Sequence, residues 1–231
     1  QWRNRTASYD FKNNVGVDIE KKIQEEIQKQ KKVNIEKVLG EIAELDYVLP
    51  KQYNQEFTMT RYFHYEYKKL EQFLALKKAE YLFEEKPADG KIIALTDADK
   101  TTDMEKVRQH LKELKDERIV VLIPREPLME EENIRRLIAV RQLKEDKTFL
   151  EENAVLQQEL QLYEDDLIYE INAALEKRYL PENGNCTVLC GIVSRNKSKS
   201  VGEFNRTLSR ICEEYYNLTP KINNEMINRR K

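Results

Sequence analysis

The sequence predicts an α/β protein: a small, mostly parallel sheet with a βαβ unit, flanked by long helices and followed by a helical C-terminal part. Two observations predict it. "KIIALTDAD" and "RIVVLIP" are continuous apolar runs rich in Ile and Val, and "TTDMEKVRQHLKELKD" between them has helical spacing. Apolar strands joined by an amphipathic helix mark a parallel sheet covered on both faces. In addition, 35% of the 231 residues are charged and only six Gly and six Pro occur, a balance that favours long solvated helices.

The elements follow in chain order. From Val17 to about Leu45, apolar residues recur every three to four positions at Val17, Ile19, Ile23 and Ile27, with Asp18 near the start. A second phase follows at Val33, Ile35, Val38, Leu39 and Ile42, with Gly40 weakening its helical character. "LPKQY" breaks the pattern. From Phe57 to Tyr67 aromatics, Thr and charged residues alternate with period two, which predicts a strand carrying aromatics on both faces. Helical spacing returns at Leu70, Phe73, Leu74, Leu76 and Tyr81 and leads into the βαβ unit, whose helix would be capped by Thr101, Thr102 or Asp103.

After Pro124 a helical region runs from about Glu130 to Tyr179, interrupted near "KEDKTFLEEN". Its later part repeats Leu156, Leu160, Tyr163, Leu167, Ile171 and Ala174, the stripe of a helix packed in a bundle or on a sheet. "LPENGNC" reads as a turn, "CTVLCGIV" as a short strand, "SRNKSKS" as a basic loop, and Val201 to Asn217 as a helix with Phe204, Leu208, Ile211, Cys212 and Tyr215 inward. "TPKINNEMINRRK" opens another amphipathic stretch that stops after about two turns. That ending predicts a piece of a larger protein, organised as a helical segment plus aromatic strand (1–90), the βαβ unit with long packing helices (91–180), and a short strand with C-terminal helices (181–231).

Composition narrows the function classes. The formal net charge is −2, so a bulk electrostatic grip on nucleic acid is not indicated, and any such contact would be a local patch. Cys186, Cys190 and Cys212 are too sparse for a disulfide framework, and His64 and His110 complete no zinc set with them. Half-buried thiols in a reducing, cytoplasmic compartment are the expectation. No apolar run approaches the roughly 20 residues of a membrane span. The P-loop, GxSxG, HExxH and paired CxxC patterns are all missing from the sequence.

Three groups of residues remain as site candidates. Asp97 and Asp99 in "LTDADK" follow an apolar strand, where open α/β sheets bind ligands. Two acids there would share a Mg2+ with a phosphate, as in a TOPRIM-like metal-dependent phosphoryl-transfer or nuclease domain, with Glu66 or Glu84 as the third acid. The simpler reading of the same acids is a loop that satisfies free amides at a helix start. Arg195, Lys197 and Lys199 in "SRNKSKS" are nucleic-acid candidates, and the simpler reading is a solvated loop. The aromatics of "MTRYFHYEY" beside Arg61 have the composition of a base-stacking platform, yet at alternating strand positions such rings more often form core.

The final stretch, "LSRICEEYYNLTPKINNEMINRRK", resembles a segment of the PglY/BrxC-like large P-loop ATPases of bacterial BREX phage-defence systems. In that family a helix of the type "L..ICDEVY" leads through a Thr-Pro and "NELINR" into another helix. Ile211, Cys212, Glu213, Glu214 and Tyr215 match the first half, and Thr219, Pro220, Asn224, Glu225, Ile227, Asn228 and Arg229 the second. The resemblance covers roughly Lys91 to Lys231, and "DERIVVLIPREPL" is similar to the family's strand that ends in Pro before a long helix. It implies a non-catalytic scaffold or coupling module that lacks the Walker elements. ATP and Mg2+ would be bound elsewhere in the parent, whose other domains, sister defence proteins and DNA would be the partners. Asn224, Glu225 and Arg229 would then be interface residues.

Overall fold

The computed structural model describes residues 18–98, 103–146, 154–182, 184–191 and 200–220. Contacts divide the chain into two units, one from residues up to 33 with 131–170, the other from residues 34–130 with those from 171 onward. Asp99, Arg195, Lys197, Lys199, Asn224, Glu225 and Arg229 lie outside the described residues, as do Thr101 and Thr102.

The first unit is helical. Helix α1 (Ile19–Lys29) starts where Asp18 accepts a hydrogen bond from the Lys21 amide at 3.2 Å, a side-chain N-cap, and it buries Ile19 and Ile23. Helix α7 (Glu131–Glu145) packs along α1 and buries Ile134, Leu137 and Val140. Arg136 pairs with Glu20 at 2.8 Å and the Gln30 amide donates to the Arg135 carbonyl at 3.0 Å, so polar contacts flank the apolar seam. Helix α8 (Ala154–Tyr179) lends its first part to this unit, with Leu156, Leu160 and Leu167 of the expected stripe buried. Glu164 accepts hydrogen bonds from Arg141 and Lys144 of α7; burial raises its pKa, and the two cations more than offset that, holding it below the usual carboxylate value.

The second unit is a five-stranded sheet in the order β1 (Tyr47–Val48), β2 (Phe63–Lys68), β3 (Gly90–Leu95), β4 (Ile119–Pro124), β5 (Cys186–Cys190). β2, β3 and β4 are parallel, and β1 and β5 close the two edges antiparallel. The predicted α/β class and the βαβ unit are therefore present, the latter as β3, α6 (Met104–Leu114) and β4. Strands β3 and β4 are buried at all six positions each, which is why they read as unbroken apolar runs. On one face Val107, Leu111 and Leu114 of α6, with Phe73 and Leu82, pack on Ile93, Leu95, Ile119, Val121 and Ile123. These come from α4 (Leu70–Leu74) and α5 (Glu80–Glu85), so the β2–β3 and β3–β4 connections cover the same face.

The other face carries the aromatic residues of β2. Tyr65 donates its hydroxyl to the Tyr179 carbonyl at 3.3 Å, Tyr179 donates to the Leu95 carbonyl at 2.9 Å, and the Tyr67 ring meets Tyr179 edge-on at 6.0 Å. Burial raises the pKa of all three phenols. The expected strand start at Phe57 is a correction. Residues Lys51–Phe57 form helix α3, in which Tyr53 and Phe57 stack at 4.3 Å as an i, i+4 pair. Pro50 directly precedes that helix, so "LPKQY" is a helix start and not simply a break. Asn54 then ties down the Arg61 backbone, its Nδ2 donating to the Arg61 carbonyl and its Oδ1 accepting from the Arg61 amide, and the strand begins only at Phe63. The continuous helix expected from Val17 to Leu45 is two helices, α1 and α2 (Ile35–Ile42), because Asn34 caps a second start by accepting from the Lys37 amide. Helix α9 (Val201–Tyr215) packs against α3, with Ser200 as its cap. The three cysteines are free and fully buried rather than half-buried, and burial pushes Cys186 and Cys212 up to about 12.

Candidate functional site

Asp97 sits two residues past β3, exposed, and its Oδ1 accepts the Leu70 amide at 2.7 Å. The carboxylate thus satisfies a free amide at the start of α4, whereas the helix-start role had been expected at α6. The strand order also bears on this position. Open α/β sheets form a ligand crevice where the order of strands reverses. Here β2, β3 and β4 follow one another in sequence order with their connections on one face, so the end of β3 lies at no such switch point. Among the described residues no group of three or more His, Cys, Asp or Glu side chains is placed to hold a metal ion. Glu84 is exposed on α5, and Glu66 is committed elsewhere.

That commitment defines a site the sequence reading did not single out. In β2, His64, Glu66 and Lys68 share the face opposite Phe63, Tyr65 and Tyr67, as strand alternation requires. Lys91 is the register partner of His64 and is completely buried. Its ammonium reaches Glu66 Oε1 at 2.6 Å, and Lys68 reaches Oε2 of the same carboxylate at 3.1 Å. Burial raises the Glu66 pKa, but hydrogen bonding to Lys91 and the nearby Lys68 charge prevail and hold it below the usual value. His64 Nε2 lies 3.1 Å from Asp46, while its Nδ1, 4.0 Å from Glu66, is buried with no hydrogen-bond partner. One sequence signal could have exposed the group: Lys91 opens a run of otherwise apolar strand residues, so its charge needs an acid on a neighbouring strand.

Beside this row the sheet edge has only a short strand partner: β1 pairs with Phe63 and His64, and the Tyr65 amide donates to the Asp46 carbonyl at 2.7 Å. Helix α2 lies along the remainder of β2 and the two enclose a cleft of about 620 Å3. Its walls include Asn34, Glu36 and Gly40 of the α2 region, the β2 row, Gln72 of α4 and Lys86. Glu36 is anchored there through a hydrogen bond that its Oε1 accepts from Thr96 Oγ1 at 3.1 Å.

A second cluster gathers where β2, β3 and β4 begin. Arg61 stacks on the Tyr216 ring at 3.5 Å and pairs with Asp89 at 2.6 Å. Arg118 lies against Phe83 at 4.0 Å and Tyr215 at 4.5 Å, and Asp116 holds its guanidinium by two hydrogen bonds. The Tyr216 hydroxyl donates to the Asp89 carbonyl at 3.0 Å. Arg61 therefore stacks on an aromatic ring of its own chain, and Phe63, Tyr65 and Tyr67 are core residues rather than an exposed platform. Within the motif that ends α9, Ile211 and Cys212 are buried, Glu213 and Glu214 face solvent, and Tyr215 and Tyr216 fasten the helix end to the strand starts.

Comparison of the chain with models of known protein families, with curated protein sequences and with solved structures finds no match.

Proposed function

We propose that this chain is a non-catalytic α/β scaffold or coupling module of a large P-loop ATPase of a bacterial antiviral system of the BREX type. In that role it links ATP-driven change elsewhere in the parent to binding of DNA or a partner protein. The observation that carries the reading is the clamp at the end of α9. The sequence motif on which the resemblance rests runs directly into Tyr215 and Tyr216, whose rings lie on Arg118 and Arg61. Those arginines precede β4 and β2, and Asp89 precedes β3, so the helix end is fastened to three parallel strands at one end of the sheet. A cation over an aromatic ring contributes about 0.5–2 kcal/mol, and two such contacts make this junction resist separation. Displacement of the segment after Pro220 would be passed to the sheet instead of being absorbed in a loose connection. Asn224, Glu225 and Arg229 are the proposed docking groups of that segment; Arg offers a planar fork suited to paired hydrogen bonds.

The test uses the full reading frame that contains this chain. Arg61→Ala with Arg118→Ala should leave basal ATP turnover intact and abolish its stimulation by DNA or partner protein. The 231-residue chain alone should show no Mg2+-dependent ATP turnover. Turnover by the isolated chain, or full stimulation in the double variant, overturns the proposal.

A further inference from the structure

We propose that the cleft between α2 and β2 receives an extended, basic peptide segment of a partner protein, which adds to the outer edge of β2 as a further strand. This goes beyond the coupling role and does not depend on it. Register fixes which backbone groups point outward. The Tyr62 and Lys68 carbonyls accept from the Gly90 and Thr96 amides at 3.3 and 3.0 Å, so the even-numbered residues here turn their main-chain groups toward β3. Phe63, Tyr65 and Tyr67 therefore turn theirs to the other edge. Phe63 is paired there with Val48 of β1, and the Tyr65 amide is taken by the Asp46 carbonyl. The pairing then stops. Among the described residues nothing bonds the Tyr65 carbonyl, or the amide and carbonyl of Tyr67. Both residues line the cleft, although their rings are turned to the opposite face, where the hydroxyls bond the Tyr179 and Leu45 carbonyls.

Tyr65 and Tyr67 are both buried, and unpaired main-chain groups of buried residues call for a partner. A donor and acceptors set in a row along a strand edge match the main chain of another strand, the chemistry of strand addition. Gly40 supports the same occupant. It stands exposed inside α2, where a Cβ would meet nothing within 4 Å, and neither packing nor a left-handed backbone requires it. Its effect is to keep the wall facing β2 low enough for a chain to lie alongside. The charge of the lining sets the sign of the partner. Four carboxylates (Glu36, Glu41, Glu66, Glu85) stand against three ammonium groups (Lys37, Lys68, Lys86). An added strand alternates its side chains between the two banks, and each bank carries an exposed acid, Glu41 on α2 and Glu85 on α5. Lys or Arg side chains on the incoming strand complement both.

The experiment pans a random heptapeptide library on the intact chain and measures the enriched peptides, as synthetic copies, by calorimetry and amide NMR. They should carry net positive charge, bind with a Kd of about 100 μM or tighter, and slow hydrogen exchange at the Tyr67 amide. Pro placed at two successive central positions in turn should weaken binding about tenfold or more at one of them, because only alternate peptide amides face the edge. Gly40→Met narrows the cleft from an exposed helix position, and Glu41→Lys with Glu85→Lys reverses the charge of both banks; each should also weaken binding about tenfold or more. The proposal is overturned if no peptide is enriched, if acidic peptides are preferred, or if the Tyr67 amide is unmoved by those that bind. Unchanged binding of both Pro peptides, or of the enriched peptides to Gly40→Met, overturns it too. Protection of the Tyr67 amide that grows with protein concentration alone would give the edge to a second copy of this chain, which likewise overturns it.

Discussion

On the face of the sheet that α6 covers, strands β2 and β4 meet the same packing demand with opposite chemistry. β4 presents Ile119, Val121 and Ile123, all fully buried, and nothing there needs a specific partner. β2 presents His64, Glu66 and Lys68, with Lys91 beside them, and each charge is acceptable only because another lies within reach. The hydrophobic effect is non-directional and tolerates repacking, whereas a buried ion pair depends on geometry and loses its balance when one member goes. The apolar side of the sheet is therefore the general stabiliser. The charged side is where the chain has accepted a constraint that simple packing would not impose.

The largest effect should come from breaking the charged side. Lys91→Met leaves Glu66 buried with Lys68 alone, and removal of one partner from a buried pair costs about 3–5 kcal/mol. Adding Glu66→Gln should recover part of that loss, a coupling that urea unfolding of the two single variants and the double variant would measure. If the double variant is as unstable as the sum of the singles, the pair is not a unit. On the apolar side, Ile123→Ala should cost about 2–5 kcal/mol through lost burial and the cavity left behind. Combined with Glu66→Gln it should be additive within about 0.5 kcal/mol, because Ile123 shares no partner with the charged row.

The same contrast explains what the sequence disclosed. β3 and β4 were legible because burial on both faces writes itself as an unbroken apolar run, and the α6 helix between them has a clean period. β2 was half legible. Its aromatic alternation marked a strand, but Tyr53–Phe57 belongs to a helix whose i, i+4 ring pair supplied the first aromatic of that pattern. The charged row was invisible as a unit because its members meet through strand register, with Lys91 far along the chain from His64. Asp97 was seen as a site candidate from its position after an apolar strand; its actual partner, the Leu70 amide, comes from a helix start that local reading could not bring to it. The two-arginine clamp was hidden for the same reason, since Arg61, Arg118 and Tyr216 come from three separate segments.

A smaller effect probes the aromatic face of β2. Gly90 opens β3 as the register partner of Phe63, and a Cβ there would stand 2.1 Å from Cε1 of the buried Phe63 ring. Gly90→Ala should destabilise by about 1–3 kcal/mol, the usual range for overpacking. Phe63→Leu in the same chain should relieve part of it by vacating the ring position. An unchanged melting curve for Gly90→Ala would mean that this face yields more readily than its burial implies.

The smallest and most graded effect is on pH. His64 is faced by Asp46 and Glu66, with Lys91 and Lys86 close enough to act on it. Burial is the largest influence and, with Lys91, holds its pKa below the ordinary imidazole value, while Asp46 pulls the other way. A group whose pKa is lower in the folded state takes up its proton first in the unfolded chain. Stability should therefore be level above the ordinary imidazole pKa of about 6.5, fall as the pH drops below it, and level again once the folded ring is also protonated. Glu66, held low in the fold, adds its own loss only below about pH 4.3, which separates the two windows. Unfolding free energies measured from about pH 8 to about pH 5 should show this decline in the native chain and a flatter profile in His64→Gln. Parallel profiles would place the proton uptake elsewhere and remove His64 from the charged row's electrostatics. A profile that rises on acidification would mean that Asp46 and Glu66 together outweigh burial and Lys91.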